Sequence, residues 1–155
     1  AAWPGALMIG LAVVFQVLMT RTALGRHILA TGGNPTAARY AGVRVDRVTA
    51  FVYRTGGALA ALSGVVLAVV QGQGKADLAT GYELDIIAAA VVGGASLAGG
   101  RASVVGAVLG ALIFGVLRNA LAQIPGGTFA DRLILGVAVL VIVVMDRAAA
   151  GRVHR

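Results

Sequence analysis

Polar side chains are scarce in this 155-residue chain, so the few that group together stand out. Gln71, Gln73, Glu83 and Asp85 form one group, and Asn119 with Gln123 form another. Amides donate and accept hydrogen bonds and carboxylates accept them, so these residues suit reversible binding of a hydroxyl-bearing solute. They suit equally well the solvation of helix ends, with acids at a helix start favoured by the macrodipole. The pairs Gly93-Gly94 and Gly99-Gly100 flank Ser96. Such pairs either break a helix and expose its backbone, or let two helices approach closely. His27 has no second ligand near it and His154 lies in a basic tail, so neither starts a metal site. No Ser/His/Asp grouping has credible spacing, and the absence of cysteine excludes thiolate metal sites and disulfide frameworks. The residues point to no catalysis.

The elements that must hold these groups are apolar. Residues of the hydrophobic types make up 59% of the chain and charged ones 12%, with 23 glycines in addition. Mean hydropathy is +0.91. A soluble domain carries about 25% charged residues and needs polar cover that this composition lacks. In a bilayer the glycines have a use, because small residues allow close helix packing. Five apolar segments are expected to cross the membrane: Trp3–Met19, Val48–Val70, Leu84–Leu97, Ser103–Leu121 and Leu133–Met145. The third reaches only about 21 Å as a helix, against a hydrocarbon core of about 30 Å, so it is a short span or is broken near Gly93-Gly94. Sustained period-2 alternation is missing, which argues against a β-barrel. The expected fold class is all-α, a polytopic transmembrane helical bundle, with residues 1–155 part of a single domain. Ala1 opens inside an apolar stretch without an initiator Met, which predicts the C-terminal portion of a longer protein.

Charge placement sets the orientation. The net charge of +7 sits in short stretches between apolar runs, which excludes a nucleic-acid surface. With alternating crossings, one side holds nine arginines: 21, 26, 39, 44, 47, 101, 147, 152 and 155. The other holds Lys75, Arg118 and Arg132 and most of the acids. That bias places stretch 21–47 and tail 146–155 in the cytoplasm. Arg54 falls inside the second segment, about 9 Å past Val48, within reach of the cytoplasmic face by snorkelling.

The stretch from Arg21 to Arg47 has local structure of its own. Gly32-Gly33 reads as a breaker, Asn34 as an N-cap and Pro35 as the first helical residue. Thr36 to Ala41 would add one or two turns, closed by Gly42. The result is a short helix at the cytoplasmic face, of a size to dock in a partner's groove.

This stretch, Gly-Arg-…-Gly-Gly-Asn-Pro-x-Ala-Ala-Arg-x-x-Gly-Val-x-Val-Asp-Arg, resembles the cytoplasmic coupling loop of permeases in the ribose/xylose/galactose class of ABC importers. A second motif, Gly81-Tyr-Glu-Leu-Asp through Gly93-Gly-Ala-Ser-Leu-Ala-Gly-Gly-Arg-Ala-Ser103, is similar to another signature of that family. Ala102 stands where that family has glycine, and Arg54 where it is apolar. By contrast, the lone Gly106-x-x-x-Gly110 is a weak signal in a glycine-rich helix.

The resemblance implies a machine of several chains. Two permease subunits, identical or homologous, sit in the bacterial inner membrane above two ATPases, fed by a periplasmic sugar-binding protein. No Walker A pattern occurs, so ATP and Mg are expected on the ATPase and no cofactor on this chain. Gly25, Arg26, Gly32, Gly33, Asn34, Pro35, Ala38, Arg39, Gly42, Asp46 and Arg47 are implied in contact with the ATPase. Gln71, Gln73, Glu83, Asp85, Gly93, Gly94, Ser96 and Asn119 are candidates for the solute pathway. A permease for nucleosides, for a signalling sugar derivative or for branched-chain amino acids, and a non-transporting scaffold, are the alternative readings. The Gly-Gly-Asn-Pro motif favours the sugar branch over the amino-acid branch.

Overall fold

The computed structural model describes residues 2–77 and 79–123, and beyond them residues 133, 136, 137, 140, 141, 144 and 148. Six helices make up the described chain: α1 (Trp3–Arg21), α2 (Ala23–Gly33), α3 (Pro35–Tyr40), α4 (Val45–Gln71), α5 (Tyr82–Val92) and α6 (Val104–Ala122). Among the described residues there is no strand. The fold is all-helical, as the composition requires. It divides into two compact units, Ala1–Tyr82 and Glu83–Arg155.

In the first unit, α1 and α4 are long and apolar enough to cross a membrane. α1 starts with Pro4 in its first turn, where a missing N–H is harmless. Thr22 ends it in an extended conformation and at once caps α2, its hydroxyl accepting from the Gly25 amide at 3.3 Å. The chain turns so sharply here that a Cβ on Gly25 would overlap the backbone of Met19. α4 runs for 27 residues, about 40 Å, and ends on Gly72 in the left-handed conformation. Val45 and Val48 are buried at its start, while Val65, 63% exposed, belongs to an open apolar face further along. Burying such faces is favourable by roughly 25 cal/mol per Å². They therefore call for lipid or further helices around them.

In the second unit, α5 and α6 form a helical hairpin. α5 stops at Val92 through paired backbone bonds: Gly94 N–H to Val91 C=O at 2.9 Å and Ala95 N–H to Ala90 C=O at 3.0 Å. That pattern is a Schellman stop, and it needs Gly94 at φ +95. The third apolar segment is thus broken at Gly93-Gly94, leaving an 11-residue helix of about 16 Å. Ser103 caps α6, its hydroxyl accepting from Gly106 N–H at 3.1 Å. The fifth apolar segment and the tail 146–155 lie mainly outside the described residues; those described within the segment, such as Leu133 and Val137, are helical.

Two expectations are corrected. Stretch 21–47 holds two helices, since α2 fills its first half. Gly32 and Gly33 are the last turn of α2 and do not break it; the break falls on Asn34. Its physical cause is Pro35, whose ring forces the preceding residue out of the helical region, and Asn34 sits at φ −153, ψ 98.

Candidate functional site

α3 is short, yet both of its ends are chemically closed. Asn34 Oδ1 accepts from the Ala37 amide at 3.0 Å, the bond expected of an N-cap. At the other end Gly42 N–H donates to Arg39 C=O and Val43 N–H to Ala38 C=O, both at 3.0 Å. Gly42, at φ +86, is the left-handed residue this second Schellman stop requires. Ala38 is buried against the rest of the unit, while Tyr40 on the same helix is 89% exposed. α3 therefore presents an aromatic side chain outward from a seat that is already packed.

The turn from α3 to α4 is basic. Arg39 bonds Asp46, in the first turn of α4, at 2.9 Å. Exposed pairs of this kind contribute roughly 0.2–1 kcal/mol, so the pair orients the turn more than it stabilises it. A shallow cleft of about 560 Å³ opens there, lined by Arg39, Gly42, Val43, Arg44, Val45, Asp46 and Arg47. One of its three arginines is neutralised by Asp46, so the cleft stays cationic.

The second unit gathers a polar group at the Tyr82/Ala122 end of its hairpin. Arg118 of α6 bonds Asp85 of α5 at 2.7 Å, with side chains 49% and 21% exposed. Glu83 lies in the same first turn of α5, and Asn119 follows Arg118. At the far end the helices meet through glycine. A Cβ on Gly106 would overlap the Gly93 carbonyl, and one on Gly110 would overlap the Ala89 carbonyl.

The candidate residues therefore separate. Gly25, Arg26, Gly32 and Gly33 lie on α2, and Asn34 to Asp46 and Arg47 build the α3–α4 turn, all within one unit. Glu83, Asp85 and Asn119 share one end of the hairpin, whereas Gly93, Gly94 and Ser96 lie at the other. Gln71, the last residue of α4, and Gln73 belong to the first unit. Two features escaped the sequence reading, the exposed Tyr40 and the partnership of Arg118 with Asp85, and a third, the use of Gly106 and Gly110 as contact points, was named there only as a weak signal. For the last two a signal existed, namely four-residue spacing along two neighbouring apolar segments.

Apolar helices with open apolar faces and charges gathered at their ends define a helical membrane protein. Residues 1–145 match the family described as branched-chain amino acid transport system / permease component, and the chain belongs to that permease family. It is similar to the probable ABC transporter permease protein YphD of Escherichia coli K12, 41% identical over 90% of this chain and 42% of that protein. It is also similar to the ribose import permease protein RbsC of Bacillus subtilis 168, 38% identical over 93% of this chain and 45% of that protein. A third relative is the xylose transport system permease protein XylH of Escherichia coli K12, 42% identical over 87% of this chain and 34% of that protein. The chain thus spans less than half the length of these relatives. No solved structure matches it.

Proposed function

We propose that this chain is part of the membrane permease of an ABC importer for a monosaccharide, and that α3 docks on a separate ATPase. The observation that carries the reading is the build of α3: a helix capped at both ends, seated through Ala38, with Tyr40 outward beside a cationic cleft. A simple basic loop obeying the positive-inside rule needs none of these features. Closure of an ATP-bound ATPase pair would displace α3, and the helices above it would pass from an inward-facing to an outward-facing arrangement as rigid parts. ATP and Mg act on the ATPase. A second permease copy or a homologous one, a periplasmic sugar-binding protein and inner-membrane lipid complete the assembly.

Five crossings with stretch 21–47 and the C-terminus in the cytoplasm fit the arginine distribution. The family description speaks of branched-chain amino acids, yet two of the three named relatives are a ribose and a xylose permease, and the Gly-Gly-Asn-Pro-x-Ala-Ala-Arg stretch favours the sugar branch. The test is affinity purification of the tagged full-length protein from its native membranes, with uptake of D-ribose, D-xylose, a nucleoside and leucine in reconstituted vesicles. A stoichiometric ATPase, lost when residues 35–41 become a glycine–serine linker, together with pentose uptake, supports the proposal. Absence of any ATPase, or uptake of leucine alone, overturns it.

A further inference from the structure

We infer that Arg118, held by Asp85, contacts the transported solute at the Tyr82/Ala122 end of the α5–α6 hairpin. The inference rests on the permease reading above and adds to it a residue outside the expected pathway set.

The hairpin does not need the ion pair to close. Asp85 and Ala89 on α5 and Gly93 just after its end fall four residues apart, and the last two meet Gly110 and Gly106 of α6 backbone to backbone. That antiparallel register, continued one step, sets Phe114 rather than Arg118 opposite Asp85. Arg118 spans the remaining turn by leaning toward the N-terminus of its helix, the direction helical side chains favour, and so points away from the near helix end.

A guanidinium and a carboxylate directed into hydrocarbon would be costly, and charged residues in membrane helices line aqueous paths or bundle interiors. Here the guanidinium is paired with Asp85 yet remains half exposed. A fork of N–H donors beside a carboxylate acceptor matches adjacent hydroxyls of a neutral, hydroxyl-rich solute. Glu83 and Asn119 extend the polar lining at the same end.

The chain contains no cysteine, so a thiol placed in it is unique within residues 1–155, and any cysteine elsewhere in the intact assembly is first replaced by serine. The experiment uses the intact permease with its ATPase and binding protein in vesicles, carrying Arg118→Cys or, as control, Gly115→Cys. Gly115 lies on α6 with open space where a side chain would extend. A cationic methanethiosulfonate reagent should label residue 118 severalfold more slowly during turnover with D-ribose or D-xylose, while labelling at 115 is unaffected by sugar. In parallel, Arg118→Gln should lower uptake by on the order of tenfold with the ATPase still bound in normal ratio. Unchanged uptake by Arg118→Gln overturns the inference. So does full uptake by the swapped double variant Asp85→Arg/Arg118→Asp, since a pair that only braces two helices works in either orientation. A wild-type protein that imports neither pentose overturns the permease reading and this inference together, whereas normal import with an indifferent residue 118 overturns this inference alone.

Discussion

The carbonyl of Gly93 occupies the space that a Cβ on Gly106 would need. Two helices can pass at that distance only as bare backbone, so the glycines on both sides are fixed by one contact. One turn away the demand falls on one side only, where Gly110 packs against the carbonyl of Ala89.

Gly106→Ala should therefore loosen the hairpin. Overpacking a tight contact costs about 1–3 kcal/mol, and backbone cannot move aside as a side chain can. In detergent the variant is expected to melt several degrees lower, while Gly115→Ala, which meets nothing within 4 Å, melts like the wild type. Equal melting of the two variants would contradict the contact.

Asn34→Ala removes the only side-chain cap of α3. Loss of an N-cap costs about 0.5–2 kcal/mol, a large share of what holds a six-residue helix. Hydrogen exchange at the Ala37 amide should accelerate by about tenfold, and Asn34→Asp should restore protection because its carboxylate accepts the same bond.

Gly25→Ala tests the corner between α1 and α2. Its methyl would meet the Met19 backbone, so yield and thermal stability of the purified protein should fall, whereas Gly10→Ala has open space and should leave both unchanged. The expected loss is again about 1–3 kcal/mol.

If α3 docks on an ATPase as proposed, Tyr40→Ala should weaken that association while leaving the fold intact, because the side chain is almost wholly exposed. An aromatic anchor in a partner's groove is worth about 2 kcal/mol or more, which is roughly a thirtyfold loss of affinity. Tyr40→Phe should retain most of the binding. Titration of the purified ATPase against both variants gives the comparison.

The sequence made α3 legible because its signals are local: a capping Asn, a Pro at the first helical position and a Gly at the stop are each read within a few residues. α2 was missed for the opposite reason. Its polar, glycine-containing stretch resembles a loop until the Thr22 cap and the seat of Gly25 on Met19 are seen together. The break after Val92 was foreseen as one of two outcomes, because Gly94 allows a stop without dictating it. The Asp85–Arg118 bond joins residues 33 positions apart, and pairing across such a distance depends on how α5 and α6 pass each other. Gln71 and Gln73 share polarity with Glu83 and Asp85, and the boundary between the two units falls between the two pairs.

Asn34 closes α2 with its backbone and opens α3 with its side chain, so a single residue lies between the two helices. Such a joint has two soft torsions, and the pyrrolidine ring of Pro35 locks the next one. In engineering terms the linkage has almost no backlash. A displacement imposed on α3 reaches α2 before slack can absorb it, and the seat of Gly25 on Met19 carries it on to the foot of α1. On the proposal that α3 takes a stroke from an ATPase, lengthening that joint by a few flexible residues would leave every helix in place and still uncouple the motion.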